Sequence, residues 1–203
     1  VYLLHTSQAR VGDADPRLGN RIAFNQGHGV RVDGTSGGNA IQANSIEANG
    51  GLGIDLAASN DPDSGVTPND ALDTDAGPNA LQNFPVIDQA TVTDRTRIQG
   101  RLQAAPNRAF VVELFRSATA DPSGHGEGAT FVARTDVTTG TDGQATFTFD
   151  LEDFTGEHFA ATATDAVTRD TSEFGPAVMA LPPLVFEIAH RGSNTGGPAP
   201  TEF

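Results

Sequence analysis

An asparagine frame recurs near the N-terminus. Asn20-x-Ile22-x-x-Asn25 leads into Gly27-x-Gly29-Val30-x-Val32, and 24 residues on, Asn44-x-Ile46-x-x-Asn49 leads into Gly51-x-Gly53-Ile54-x-Leu56. A third frame, Asn39-x-Ile41-x-x-Asn44, lies between them and shares Asn44. Self-similarity at such a period marks a stacked solenoid, because a single turn cannot bury its own apolar face. Ile22, Val30 and Val32 should therefore pile onto Ile46, Ile54 and Leu56 in a common interior. The asparagines fall at bends, where their amides pair from turn to turn. Arg31 and Asp55 hold matching outward positions and are expected to be neighbours in an exposed ion pair. Residues 1–56 thus read as the terminal turns of a parallel β-helix, with further turns expected upstream.

Beyond residue 56 the pattern changes twice. Residues 57–83, rich in proline and aspartate without an apolar run, form an acidic connector. From 84 to 181 apolar and polar residues alternate with period two in about seven short segments. Examples are Ile98 and Leu102 among Arg97, Gln99, Arg101 and Gln103, or Phe147 and Phe149 among Thr146, Thr148 and Asp150. Short strands separated by turns such as Thr141-Asp142-Gly143 predict an immunoglobulin-like β-sandwich. Its expected core is Phe84, Val86, Ile98, Leu102, Phe110, Val112, Leu114, Phe131, Phe147, Phe149 and Phe159. Residues 182–203 read as a tail, partly disordered, in which Leu184 to Ile188 offers one more strand.

Composition agrees with an all-β chain: 23 glycines, and aspartate as the commonest acid, suit turns and corners. A net charge of −14 argues against nucleic acid or an anionic membrane surface as partner. No run of residues is apolar and long enough for insertion into a bilayer. Without cysteine there are neither disulfides nor thiolate metal sites.

The two asparagine–glycine frames resemble bacterial right-handed parallel β-helix repeat proteins of the pectate-lyase-like superfamily. Later pieces resemble the region that follows the helix in secreted members of that group. These are Leu81-Gln82-Asn83-Phe84-Pro85-Val86, the stretch from Asp121-Pro122 to Glu127-Gly128, Thr162-Ala163-Thr164-Asp165, and Thr171-Ser172-Glu173-Phe174. The resemblance implies export to the medium or cell surface, a β-helix shaft and a small sandwich after it. It implies no particular reaction. Where relatives often carry Gly-Asn before Thr-Ser-Glu-Phe, this chain has Arg169-Asp170, which alters a predicted tight turn.

The acidic connector is the leading site candidate. No basic residue occurs between Arg31 and Arg95, and crowded carboxylates repel unless solvent or a cation screens them. Asp73-x-Asp75-x-Gly77-x-Asn79 resembles the first half of a calcium loop, and Asp61, Asp63 and Asp70 can supply further oxygens for Ca2+. The loop from Asp121 to Glu127 reads first as a glycine-rich hairpin. His5, His28, His125, His158 and His190 lack metal-ligand spacing and read as surface or loop residues. No nucleophile elbow and no phosphate-binding loop occur. The expected role is structural or adhesive, with extracellular polysaccharide or a surface protein as partner. The alternative is a fragment of a polysaccharide lyase or glycoside hydrolase whose catalytic turns lie upstream, with Arg31, Asp33 and Asp55 on the outward face.

Overall fold

In a computed structural model, which describes residues 1–57 and 65–183, the first region is a coil of parallel sheets. One turn comprises β1 (Tyr2–Leu4), β2 (Arg10–Gly12) and β3 (Arg21–Ala23). The next comprises β4 (Val30–Asp33), β5 (Ala40–Gln42) and β6 (Ser45–Glu47), and β7 (Ile54–Leu56) begins a third. Parallel pairing joins β1-β4-β7, β2-β5 and β3-β6. Ile22 lies opposite Ile46, Val30 opposite Ile54 and Val32 opposite Leu56, as the repeat requires. Val11 lies opposite Ile41, because the first turn carries an excursion over residues 13–18 with a 3₁₀ turn at Pro16–Leu18. The 24-residue period therefore holds only from Asn20 onward.

A second region has antiparallel strands. They are β8 (Val86–Val92), β9 (Thr96–Gln103), β10 (Ala109–Ser117), β11 (Thr130–Thr138), β12 (Gln144–Leu151), β13 (His158–Asp165) and β14 (Val178–Met179). One sheet runs β12-β9-β8 and the other β11-β10-β13-β14. Ile87, Val92, Ile98, Phe147 and Phe149 of the first meet Val112, Leu114, Phe159 and Ala161 of the second in one apolar cluster, so the two sheets share a core. Among the described residues no helix is long and apolar enough to cross a membrane.

The larger sheet has a second task. Its other face lies on the end of the coil, where Phe115 and Ala160 join Val30, Val32, Ile46, Ile54 and Leu56 in a single cluster with Leu81 and Phe174. This explains why β13 is buried at every position after His158. Alternation with Leu114 places Phe115 on the outward face of a two-layer sandwich, and it lies outside the expected core. Phe131 and Val86, both expected inside, are only half-buried, and Phe131 packs against the coil cluster instead. Residues 173–180 are mostly irregular, with strand pairing at Val178–Met179 and a single bridge from Pro176 to His125. The tail strand at 184–188 lies outside the described residues.

Candidate functional site

Two places carry chemistry: the end of the coil and the acidic connector. At the coil end, asparagines stack in ladders with one polarity. Asn44 Oδ1 accepts from both the backbone N and the Nδ2 of Asn20, at 3.0 Å each. Asn49 Oδ1 accepts likewise from Asn25, at 3.2 and 2.6 Å. Each upper amide thus satisfies the lower corner and needs an acceptor of its own from the next turn. Histidine bridges turns with the opposite polarity, since His28 Nδ1 of the lower turn accepts from Leu52 N of the upper one at 2.9 Å. His5 Nδ1 similarly accepts from Thr35 N at 3.2 Å, so this exposed loop residue also bridges successive turns.

No further coil turn follows β7 among the described residues, yet the ladders continue into other elements. Glu127 Oε1 accepts from Asn49 N at 3.1 Å and Asn49 Nδ2 at 2.7 Å, the geometry an asparagine of the next turn would have. Asn79 Oδ1 accepts from Asn39 N and Nδ2, at 3.1 Å each, while its own Nδ2 donates to Asn39 O and Thr171 O. Other upward-facing N–H groups are taken as well. Gly38 N donates to Asp170 Oδ1 at 2.6 Å, Ile41 N to Thr171 Oγ1 at 3.0 Å and Ala43 N to Glu113 Oε2 at 2.9 Å. Ile46 N donates to Gly128 O at 2.9 Å, and Leu56 N to Glu173 Oε1 at 2.8 Å. An unpaired buried N–H costs about 1–3 kcal/mol, which is what each acceptor averts.

Close approach is needed for these bonds to form. A Cβ on Gly126 would meet Ala160 Cβ at 2.1 Å, and one on Gly128 would meet Phe115 Cβ at 2.7 Å. The loop at 121–127, which reads as a hairpin by its turn residues, is therefore also a lid element placing Glu127. Burial pushes the Glu113 carboxyl up to about 7, against the opposing pull of the Ala43 N–H and of Arg134. Its Oε1 has no hydrogen-bond partner. Glu127 is also raised, first by burial.

In the connector, Asp70, Asp73 and Asp75 converge with carboxylate oxygens within 4.8 Å of one another, a group able in principle to coordinate a divalent cation. Asp73 Oδ1 accepts from Asn83 N at 2.9 Å and its Oδ2 from Gln82 Nε2 at 2.7 Å, so the loop is tied to the start of the sandwich. Burial pushes Asp73 up to about 6, with the charges of Asp75 and Asp70 adding to it. Asp75 is raised by burial and then by Asp70, and its buried Oδ1 has no hydrogen-bond partner. Asn79, expected as a fourth ligand, is elsewhere: it is fully buried and both ends of its amide belong to the ladder. Asp61 and Asp63 lie outside the described residues.

Arg31 and Asp55 are neighbours at 3.0 Å in register, but the pair is not exposed. Asp55 is 0% accessible, and His28 Nε2 lies 3.8 Å from the same Oδ2 that Arg31 reaches. Thr67 Oγ1 donates to Leu56 O at 3.2 Å, which sets residue 67 beside the end of β7. Arg31 also reaches Asp33 at 3.4 Å, and Tyr2 OH donates to Asp33 at 3.0 Å.

A scan against protein-family models gave no match, and a search of the curated proteins gave none either. What the chain's own geometry defines is an all-β protein with a coil of parallel sheets and a sandwich-like pair of antiparallel sheets.

Proposed function

We propose that this chain is the capped end of a right-handed parallel β-helix of the pectate-lyase-like kind, and that its immunoglobulin-like sandwich is a non-catalytic terminal cap. In this reading the protein is secreted or held at the cell surface, where the coil acts as a shaft and the sandwich keeps its last turn from pairing with other chains. An open parallel edge is a template for aggregation. The observation that carries the reading is the substitution of Glu127, Asn79, Glu113, Thr171 and Glu173 for the acceptors of a missing next turn. Glycan or surface-protein binding would use the exposed loops and involve no bond-making.

The polysaccharide-cleaving alternative finds less support, since Asp55 is buried against Arg31 and offers no acid to a substrate. Incubating the 203-residue chain with a panel of acidic and neutral polysaccharides tests this. Retention of a glycan without new reducing ends or unsaturated products fits the cap reading. Product formation overturns it.

We also propose that Ca2+ binds Asp70, Asp73 and Asp75 and stiffens the connector. Three carboxylates, two of them raised by burial and mutual repulsion, gain a counter-charge that the surrounding sequence does not supply. The melting temperature should rise in millimolar calcium and fall back with chelator, because a ligand held only by the folded state stabilises it. Equal melting temperatures would remove calcium and leave the cap reading intact.

A further inference from the structure

The larger sheet ends on β11, a nine-residue strand that pairs only with β10. Such an edge is long enough to pair with another chain. Thr139 N donates to Arg108 O at 3.0 Å, which fixes the phase of the antiparallel ladder. Ala133, Thr135 and Val137 turn their backbone groups toward β10, and Arg134, Asp136 and Thr138 turn theirs outward.

Among the described residues neither charged side chain on this edge lies within salt-bridge distance of an opposite charge, although Arg134 faces Glu113 across the ladder and its charge also reaches Asp15. Arg134 donates from Nη1 to Ala14 O at 2.6 Å and makes no salt bridge among the described residues, and Asp136 makes neither a salt bridge nor a side-chain hydrogen bond there. They stand two positions apart and so share one face of the sheet. An Arg-x-Asp edge is complementary to itself when run antiparallel.

We infer that β11 is the contact surface for a second copy of this chain, paired antiparallel about a two-fold axis at Thr135. That register sets Arg134 opposite Asp136 of the second copy, twice, at the positions whose N–H and C=O groups face outward. On the opposite face it sets Ala133 against Val137, both half-buried already. Neighbouring registers fail on charge: an axis at Arg134 opposes two arginines, and one at Asp136 opposes two aspartates, and like charges directly opposite are destabilising. The contact is isologous and closed, and it joins the two four-stranded sheets without leaving either β11 edge open.

Sedimentation velocity on the full chain over a concentration series tests this, with near-UV circular dichroism and melting of each variant as the check on folding. The wild type should form a dimer and stop there. Arg134→Asp and Asp136→Arg should each weaken the dimer by at least tenfold, since each opposes like charges. The double variant R134D/D136R should restore it. A folded wild type that stays monomeric, single reversals that leave dimerisation unchanged, or a folded double variant that does not recover would each overturn the inference. Asp136→Pro is the backbone test. It removes an outward N–H that β10 does not use, so loss of dimer with retained melting supports the pairing and an unchanged dimer contradicts it.

Discussion

Strands of the coil take their partners from turns above and below, whereas strands of the sandwich find partners within their own sheet. The coil therefore always has an upper edge in need of acceptors, and its corner asparagines make that need directional: each Oδ1 serves the turn beneath. The sandwich sheet has a spare face instead. On it stand Glu113, Phe115 and Ala160, which would be solvent-facing in an isolated two-layer sandwich and are here fully or nearly buried. Polar groups on that face supply what the coil lacks, and Phe115 plugs the apolar interior. The regions differ in kind because one exports its unsatisfied groups and the other receives them.

Several experiments break or sharpen this contrast. The largest effect is expected from Phe115→Ala. The ring is buried in the coil cluster and packs edge-on against Phe131 and Phe174, and its removal should cost about 3–5 kcal/mol. Phe159→Ala should cost a similar amount in the shared sandwich core, but hydrogen exchange should place the loss there and not in the coil. Equal loosening of both regions by both variants would erase the distinction.

Next comes pH. Glu113, at about 7, and Asp73, at about 6, have folded values raised above those of the unfolded chain, and Glu127 and Asp75 shift the same way. Raised acids contribute stability that is fully present near pH 4 and lost as pH climbs through 6 and 7. Asp165 and Asp33 are lowered, so their contribution is lost on acidification below the ordinary carboxylate range. Denaturant melts should show a maximum near pH 4 and a decline toward pH 8, with Glu113 responsible for roughly 3 kcal/mol of it. Glu113→Gln keeps an acceptor for Ala43 N without the charge, and should flatten the decline. A curve that instead rises from pH 5 to 8 would contradict the assignment.

A smaller effect separates the two ends of the ladder. Asn79→Ala leaves Asn39 and Thr171 with buried unpaired groups and should cost about 2–3 kcal/mol. Asn20→Ala removes the exposed rung of its ladder and should cost less than about 1 kcal/mol. The smallest change should be a gain. Arg169 holds φ at +72° in the turn that presents Asp170, and Arg169→Gly should raise stability by about 0.5–1 kcal/mol in a thermal melt.

The coil was legible in the sequence because its signal is local and doubled: aliphatic residues and asparagines return together, and register follows from spacing alone. The strands of the sandwich were legible by alternation. What alternation could not reveal was a third layer, so Phe115 and the continuous burial of β13 escaped it. Arg31 and Asp55 pair as their matching positions require, but Asp55 is buried and not exposed, and spacing within the repeat carries no signal for burial. Asn79 reads as a metal ligand by its spacing from Asp73 and Asp75. Its place in the ladder depends on a left-handed turn over Asn79, Ala80 and Leu81 that no short motif announces. Glu113 did leave a trace, as a lone acid within Val111-Val112-Glu113-Leu114-Phe115. The segments that carried the family resemblance, around Glu127 and over Thr171 to Phe174, hold many of the residues that touch the coil's last turn.

Amide hydrogen exchange at Ile41, Ala43, Ile46, Asn49 and Leu56 tests most directly whether the sandwich closes the coil. These amides should be protected as well as Val30 and Arg31 inside the coil. In Glu127→Ala the protection of Asn49 should drop selectively while β9 and β12 hold theirs. Fast exchange at those five amides in the intact protein, at the rate of an open sheet edge, would contradict the closure.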